Sequence, residues 1–229
     1  MKSSILKNKN YELLDQIGQG AYASIFSAKN TKTNEIVAIK KIFKNYNQNL
    51  KKLFDREIEI MKILKCKHSI RFIDFFEDTK NYYIVLEFYD IDLYNYLKNN
   101  GGKLPIKVIK NILFQLNEVF RLMNEHNIIH RDIKLQNILL KFEKNDTFNV
   151  VLTDYGLSRE MSENGLTSIF CGTNYVIAPE IEKEQPYTNK VDLWSLGIII
   201  FIITIIIRNI IIILTIIIRI ISIICIIFI

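Results

Sequence analysis

The segment HRDIKLQN, His130 to Asn137, combines a carboxylate, a cation and an amide at short spacing. Asp132 can accept a proton from a hydroxyl group if the loop holds it within reach. Lys134 adds a positive charge two residues later, and Asn137 supplies an amide oxygen of the kind that Mg²⁺ binds. The segment therefore predicts a loop that can accept a proton beside a metal ion. A charged surface turn is the alternative interpretation.

The triplet DYG, at residues 154–156, offers a second acid on a turn after the apolar run VVL. Its carboxylate, Asp154, can complete a pair of oxygen ligands for a metal ion. The triplet alone carries little information, because acids are common in turns.

A glycine-containing segment, IGQGAYASI at residues 17–25, is a candidate phosphate site. Gly18 and Gly20 allow a tight turn between two strands and let backbone amides approach phosphate oxygens. A hairpin turn without a ligand is the alternative. A Rossmann site is disfavoured, because its fingerprint opens a helix whereas SIFSAKN predicts a strand.

Lys40 ends the apolar run VAIK, and Glu57 lies on the apolar stripe of a helix predicted from Leu50 to Leu64. A carboxylate on the buried face of a helix is costly without a partner. We therefore predict that Lys40 pairs with Glu57 and can present its ammonium group to phosphates. A solvated lysine at the end of a strand is the alternative.

A strand-rich part followed by a helix-rich part must position these segments. Apolar runs such as EIVAIKKIF and YYIVLEF predict strands across residues 11–90, interrupted by that one helix. The two parts join near Asp90. Beyond Gly102 the pattern becomes mainly helical, and Pro105 is predicted in the first turn of a long amphipathic helix. Its apolar stripe comprises Ile109, Ile112, Leu113, Leu116, Val119, Phe120 and Met123.

The composition argues against several classes of protein. The 229-residue chain has a net charge of +6, and its lysines are interspersed with acids, so we expect no nucleic-acid binding. The three cysteines are far apart and form no CxxC, which disfavours a disulfide framework and a zinc site. The N-terminal sequence lacks the apolar stretch of a signal peptide, so we expect a cytoplasmic protein.

In their order along the chain, these segments resemble the eukaryotic protein kinase family. Residues 11 to about 197 contain GQGAYA, VAIK, Glu57, HRDIKLQN, DYG and, at 178–180, APE. An ordered series of this length is far more specific than any one of its members. Lys134 beside Asp132, together with the dipeptide GT ahead of APE, is similar to the serine/threonine branch.

The resemblance implies an α+β, two-lobed protein-kinase-like fold. Residues 11–90 would form the ATP-binding N-lobe, an antiparallel sheet with one helix. Residues 91–207 would form a mainly helical C-lobe with the catalytic and activation segments. The final residues, 208–229, would be an isoleucine-rich tail of doubtful reality, which leaves the C-lobe truncated.

Each matched residue has an implied role in an ATP-dependent serine/threonine kinase that transfers the γ-phosphoryl group to protein hydroxyls. Asp132 and Lys134 would be catalytic, with Asp132 as the base. Asn137 and Asp154 would hold Mg²⁺. The implied ATP-binding residues are Ile17, Gly18, Gln19, Gly20, Ala21, Tyr22, Ala23, Ser24, Ile25, Ala38, Lys40, Glu57, Glu87 and Phe88.

The same resemblance assigns three hydroxyl residues, Thr167, Ser168 and Thr173, to the activation segment. Arg131 is similar to an arginine that pairs with an activation-loop phosphate, and Thr167 and Ser168 are the candidate acceptors. Exposed loop hydroxyls without a regulatory role are an equally open interpretation.

Three positions depart from the family's pattern. Ala23 replaces the third glycine of the phosphate loop, which predicts weaker closure over phosphates. Tyr155 replaces the phenylalanine of DFG and fits the same space if its hydroxyl finds a partner. Tyr175 comes one place early, which leaves Val176 at the family's tyrosine position, close to where substrate docks.

The segment DLWSLG, residues 192–197, is similar to the start of the family's central buried helix. Asp192 would brace the loop that carries the HRD triplet. The family's later helices, which would supply a cation for Glu180 of APE, are not recognisable in the isoleucine-rich sequence that follows. An inert kinase-like scaffold or binding module is therefore the alternative to an active enzyme.

Residues 198–229 allow three interpretations. The first is a core helix to about Ile207, followed by a misread or truncated end. The second is a membrane anchor, which Arg208 and Arg219 divide into short apolar blocks. The third leaves the origin of these residues unassigned. The second interpretation implies a membrane-tethered, membrane-associated kinase.

Overall fold

A computed structural model describes residues 4–20, 23–44, 49–145, 147–160, 172–173 and 175–204. The chain divides into two compact units. The first comprises Met1–Lys62 and Ile70–Tyr89, and the second comprises Ile63–Ser69 and Asp90–Ile229. The candidate residues Ala21, Tyr22, Thr167 and Ser168 lie outside the described residues.

The first unit is built on a five-stranded antiparallel sheet in the order β1-β2-β3-β5-β4. This arrangement confirms the prediction of strands interrupted by one helix over residues 11–90. The interrupting helix, α2, begins and ends one residue before its predicted bounds. The elements are α1 (Ser4–Asn8), β1 (Tyr11–Gln19), β2 (Ala23–Asn30), β3 (Ile36–Phe43), α2 (Asn49–Ile63), β4 (Phe72–Glu77) and β5 (Asn81–Glu87).

The central strand β3 shows how this sheet presents a charged side chain. Val37 and Ile39 are buried in a hydrophobic cluster that includes the stacked rings of Phe76 and Tyr83, whose centroids are 5.0 Å apart. Because side chains alternate between the faces of a strand, Lys40 lies on the opposite face from Ile39. The packed apolar face therefore fixes the strand from which Lys40 projects.

The second unit contains helices and two small antiparallel sheets. One sheet has the order β6-β8-β9, and β7 pairs with β10. Ile138 of β8 pairs with Leu152 of β9, so the flanking Asn137 and Thr153 also meet. The elements are β6 (Ile91–Asp92), α3 (Leu93–Asn99), α4 (Ile106–Glu125), β7 (Ile128–Ile129), β8 (Ile138–Phe142), β9 (Phe148–Leu152), β10 (Arg159–Glu160), α5 (Pro179–Glu182) and α6 (Lys190–Thr204).

The long amphipathic helix is present as α4, with two corrections of detail. Pro105 does not lie in its first turn but precedes it as the N-cap, because its ψ of 144° is extended. Leu113, predicted on the buried stripe, is only half-buried. The rest of the stripe is buried, as predicted: Ile109, Ile112, Leu116, Val119, Phe120 and Met123.

Helix α6 confirms that the DLWSLG segment lies at the start of a helix, but only one face of that helix is buried. Asp192, Leu196 and Ile199 are buried on it, whereas Trp194 remains 45% exposed. The helix is described as far as Thr204, and residues 205–229 lie outside the described residues. Among the helices that the structure describes, none has the length and hydropathy needed to cross a bilayer.

Candidate active site

Asp132 lies at the centre of a hydrogen-bond network in the second unit. Its side chain is buried, and Lys134 Nζ lies 2.6 Å from its Oδ2. Asn137 Nδ2 donates to the same oxygen at 3.0 Å and to the Asp132 carbonyl at 2.9 Å. Thr173 Oγ1 donates to the other oxygen, Oδ1, at 2.5 Å. Three of the residues predicted from HRDIKLQN are therefore in contact, and Thr173 joins them.

Lys134 also contacts Thr173, with 3.3 Å between Nζ and Oγ1. The two carboxylate oxygens of Asp132 thus have different neighbours: Oδ2 faces a cation and an amide, whereas Oδ1 faces a hydroxyl. The ion pair with Lys134 adds an attraction between opposite charges that the Thr173 hydroxyl cannot offer, so the Oδ2 side is held more strongly. The arrangement leaves Oδ1 as the atom that meets hydroxyl groups.

Asp192 braces the backbone of this loop, as predicted. Its Oδ2 accepts from the His130 amide at 2.7 Å, and its Oδ1 accepts from the Arg131 amide at 2.9 Å. Burial raises the pKa of Asp192, although the charge and amides of His130 and Arg131 oppose that rise. The brace is needed because Arg131 has a φ of 69°, which is unfavourable for a residue with a side chain.

Gly172 has a conformation and a location that only glycine fits. Its φ is +112°, and an added Cβ would lie 2.7 Å from the backbone oxygen of Arg131. Side chains larger than hydrogen would push this segment away from the loop. Gly172 therefore allows the adjacent Thr173 to reach Asp132.

Asn137 and Asp154 are positioned by the pairing of β8 with β9. Thr153 N donates to the Asn137 carbonyl at 3.0 Å, so the ends of the two strands are adjacent. Asp154 follows with a left-handed backbone, φ 65° and ψ 68°. Within the described residues no cluster of three or more His, Cys, Asp or Glu side chains is arranged to hold a metal ion. Mg²⁺ is compatible with a smaller set, because it keeps waters and substrate oxygens as its other ligands.

Tyr155 meets the condition set for its replacement of phenylalanine. Its side chain is buried, and its hydroxyl lies 2.8 Å from Ser69 Oγ. Burial raises its pKa, so the hydroxyl remains protonated. The predicted partner is thus present, although no feature of the sequence identified Ser69 in advance.

The predicted phosphate-binding pair is formed within the first unit. Lys40 Nζ and Glu57 Oε1 are 2.6 Å apart, and the Glu57 side chain is buried while that of Lys40 is mostly buried. The pair joins β3 to α2, as the helical stripe predicted. Backbone geometry and a buried opposite charge therefore hold the Lys40 ammonium in place.

The glycine-containing segment forms the hairpin between β1 and β2. Gly20 N donates to the Ala23 carbonyl at 2.7 Å. Neither Gly18 nor Gly20 has a left-handed φ, so the turn does not need their backbone freedom. Ile17 is 50% exposed on the same hairpin.

Other predicted ATP-binding positions lie on the paired strands of the sheet. Ser24 and Ile25 belong to β2, and Ile25 faces Lys40 across the ladder. Gln19 Oε1 accepts from the Ser24 hydroxyl at 3.0 Å. The remaining positions are on β3, at the end of β5 and just beyond it: Ala38, Glu87 and Phe88.

The segment after Thr173 makes two contacts that sequence reasoning missed. Tyr175 donates its hydroxyl to Gln136 Oε1 at 3.1 Å, within the HRDIKLQN segment. Ser195 Oγ donates to the Val176 carbonyl at 2.7 Å, which attaches the segment to α6. Val176 is therefore buried where the family pattern has tyrosine, and Tyr175 is exposed.

Two residues near this segment have an ionic partner in the family's pattern: Arg131 would pair with a phosphate, and Glu180 would pair with a cation. Arg131 Nε donates to the Leu157 carbonyl at 2.7 Å, but the candidate phosphate acceptors lie outside the described residues. Glu180 is half-buried in α5, and no ion pair involves it among the residues that the structure describes.

Comparison with known proteins connects this geometry with a family. A protein kinase domain model matches residues 11–210. Serine/threonine-protein kinase ATG1b of Arabidopsis thaliana is 34% identical over 194 residues, which is 84% of this chain and 27% of that protein. Serine/threonine-protein kinase 36 of Pongo abelii is 34% identical over 197 residues, covering 84% of this chain and 14% of that protein.

A third similar protein is an Aurora kinase of Schizosaccharomyces pombe, 33% identical over 194 residues. That match covers 83% of this chain and 53% of the Aurora kinase. The chain therefore spans at most about half the length of these relatives.

Proposed function

Because this chain belongs to the eukaryotic protein kinase family, we propose that it transfers the γ-phosphoryl group of ATP to serine or threonine hydroxyls of proteins. The observation that carries the proposal is the asymmetric environment of Asp132. One of its carboxylate oxygens is held by a cation and an amide, and the other accepts from a hydroxyl.

Asp132 acts as the base toward the substrate in this proposal. Thr173 donates a hydroxyl hydrogen to Oδ1, which is the interaction that a substrate hydroxyl needs before it loses its proton. Lys134 and Asn137 stay on Oδ2 and keep the carboxylate oriented. Lys134 also places a positive charge where negative charge develops on the transferred group.

Lys40 holds the α and β phosphates, and Glu57 orients its ammonium group. The 2.6 Å contact with a buried carboxylate holds the ammonium group at one location, from which it can bind phosphate. The backbone at Gly18 and Gly20 covers the phosphates without side chains in between. These groups position ATP and supply no proton transfer.

Asn137 and Asp154 would hold Mg²⁺, which when bound neutralises charge on the phosphates. Both residues offer oxygen ligands, which suits a hard cation. The Asn137 amide nitrogen donates to Asp132, so the amide oxygen of Asn137 is the atom that would face a metal ion. The chemistry of this donor set therefore fits Mg²⁺.

The test is phosphoryl transfer from γ-labelled ATP to a protein rich in serine and threonine, followed by identification of the labelled residue. We expect Mg²⁺-dependent phosphoserine or phosphothreonine. The Asp132→Asn variant, prepared in parallel, excludes a contaminating kinase. A folded chain that binds ATP but transfers no label would overturn the proposal and favour an inert kinase-like module.

A further inference from the structure

Tyr155 and Ser69 form a buried hydrogen bond between distant parts of the second unit. Their hydroxyl oxygens are 2.8 Å apart and the residues are 86 positions apart in the sequence. Ser69 is 4% exposed and Tyr155 is 1% exposed, so water does not replace either partner readily. The phenol also donates to the Leu152 carbonyl, at the longer distance of 3.4 Å.

Backbone contacts hold Ser69 in register with β9. Ser69 forms a parallel bridge with Leu152, and the Leu152 amide donates to the His68 carbonyl at 3.0 Å. His68 Nδ1 lies 2.8 Å from the Val150 carbonyl. The Ser69 hydroxyl is therefore fixed beside the strand that leads directly to Asp154.

Tyr155 begins the short 3₁₀ turn that follows Asp154. Its ring packs against His130, with centroids 5.1 Å apart, and its carbonyl accepts from the Ser158 amide at 2.9 Å. Asp154 itself has the left-handed backbone that side chains disfavour. Such a conformation persists only where surrounding contacts enforce it.

We propose that Ser69 is a positioning residue for Asp154. Its hydroxyl binds the buried phenol of Tyr155 and keeps the turn from Asp154 to Ser158 in the conformation that presents the Asp154 carboxylate to Mg²⁺. The inference rests on the proposed function, because that function assigns Asp154 to the metal ion.

The physical basis is the cost of a buried hydroxyl without a partner. The Tyr155 phenol is buried, so its hydroxyl requires a hydrogen-bond partner within the protein. If Ser69 loses its hydroxyl, the phenol keeps only the 3.4 Å hydrogen bond to the Leu152 carbonyl, and it can shorten that bond only by moving, which moves the turn. A phenylalanine at position 155 would have no such requirement, so the dependence on Ser69 is specific to tyrosine.

The experiment is a double-mutant cycle of Ser69→Ala and Tyr155→Phe. Hydrogen exchange of the amides at 155–158 reports the turn, and exchange of α4 reports global opening. Titration of Mg²⁺ in the presence of a non-hydrolysable ATP analogue reports the metal site. Thr204→Val removes a buried hydroxyl that bonds within its own helix, α6, and serves as the control.

In Ser69→Ala we expect the turn amides to exchange about tenfold faster while α4 is unchanged. The Mg²⁺ concentration for half-maximal nucleotide binding should rise about fivefold. In the Tyr155→Phe background, Ser69→Ala should have no further effect on either value. Thr204→Val should leave both at the wild-type value.

Unchanged exchange in Ser69→Ala would overturn the inference, as would equal acceleration of α4 or an effect that persists in the Tyr155→Phe background. If Ser69→Ala does not fold, Ser69→Cys decides, because its thiol is only a weak hydrogen-bonding group: unchanged turn exchange overturns the inference, and faster exchange supports it. None of these measurements requires phosphoryl transfer. Failure of the proposed function is therefore distinguishable from failure of the positioning role.

Discussion

In the first unit, Lys40 meets Glu57 across 17 residues of sequence, from one strand to the next helix. In the second unit, Asp132 meets Thr173 across 41 residues, and its loop is braced by Asp192 about 60 residues away. The first contact joins two regular elements. The second set joins the loops of Asp132 and Thr173, and the loop of Asp132 needs support from helix α6.

This difference predicts where the molecule is sensitive to change. A pair carried by a strand and a helix keeps its geometry as long as those elements pack. A network carried by loops depends on unusual backbone conformations, such as those of Arg131, Asp154 and Gly172. Nucleotide binding should therefore depend on the first unit's ion pair, and phosphoryl transfer should depend on loop geometry in the second.

Asp132→Asn should have the largest effect. The amide keeps the size of the side chain but cannot accept a proton, so we expect the transfer rate to fall about 10³-fold. Nucleotide affinity should change less than about twofold, since the substitution alters the hydrogen bonds of Asp132 and leaves the ion pair of Lys40 with Glu57 intact. Steady-state transfer and nucleotide titration measure the two values.

Lys40→Ala should mainly lower nucleotide affinity, whereas Asp132→Asn mainly lowers the transfer rate. It removes a charged hydrogen-bond donor from Glu57 and from phosphate, so nucleotide affinity should fall about 100-fold. Lys41→Ala, at the next position of β3, is the matched control and should bind nucleotide normally. Equal losses in the two variants would show that the ion pair has no special role.

Gly172→Ala tests the support of the loop network. The new Cβ would meet the Arg131 carbonyl oxygen at 2.7 Å, so the segment must shift away from Asp132. We expect a free energy of unfolding lower by about 2 kcal/mol and a transfer rate lower by about tenfold. Gly101 also has a positive φ but no atom within 4 Å of an added Cβ, so Gly101→Ala should lose stability without the loss of rate.

Thr173→Val should produce a smaller loss of rate. It keeps the shape of the side chain but removes the hydroxyl that donates to Asp132 Oδ1. The expected decrease in turnover number is about fivefold, with unchanged nucleotide affinity. Thr173→Ser keeps the hydroxyl and should retain turnover; a loss as large as that of the valine variant would contradict a hydrogen-bonding role.

The smallest effect concerns acid stability in the hairpin between β4 and β5. Burial tends to raise the pKa of Asp78, but hydrogen bonds from Lys80, Tyr83 and Asn81 lower it below its ordinary value of 3.8. Because the folded chain binds fewer protons there, Asp78 contributes stability above that value and loses it as pH falls through the folded pKa. The Tm difference between wild type and Asp78→Asn should therefore shrink from neutral pH to about pH 2. An unchanged difference would exclude the linkage.

The contact between a strand and a helix could be predicted from local sequence patterns, whereas the contacts of the loops could not. The spacing of apolar residues located Glu57 on the buried face of a helix, and the cost of its burial identified Lys40 as partner. The brace by Asp192 followed from family resemblance, since no local pattern connects residues about 60 positions apart.

Contacts between loops were not predictable from the sequence. Ser69 with Tyr155 and Tyr175 with Gln136 depend on how separate segments meet, and neither pair has a periodic signal. Pro105 was misplaced by one residue because its fixed φ suits both the N-cap and the first turn. The predictable part of this fold therefore comprises the helices and strands, along which apolar residues recur at a regular spacing.

The most direct test of the account measures nucleotide affinity and transfer rate in the same preparations of Lys40→Ala and Asp132→Asn. We predict opposite patterns: Lys40→Ala loses nucleotide affinity, whereas Asp132→Asn binds nucleotide normally and loses about 10³-fold in rate. An Asp132→Asn variant that keeps more than about a tenth of the wild-type rate would contradict the assignment of Asp132 as the base.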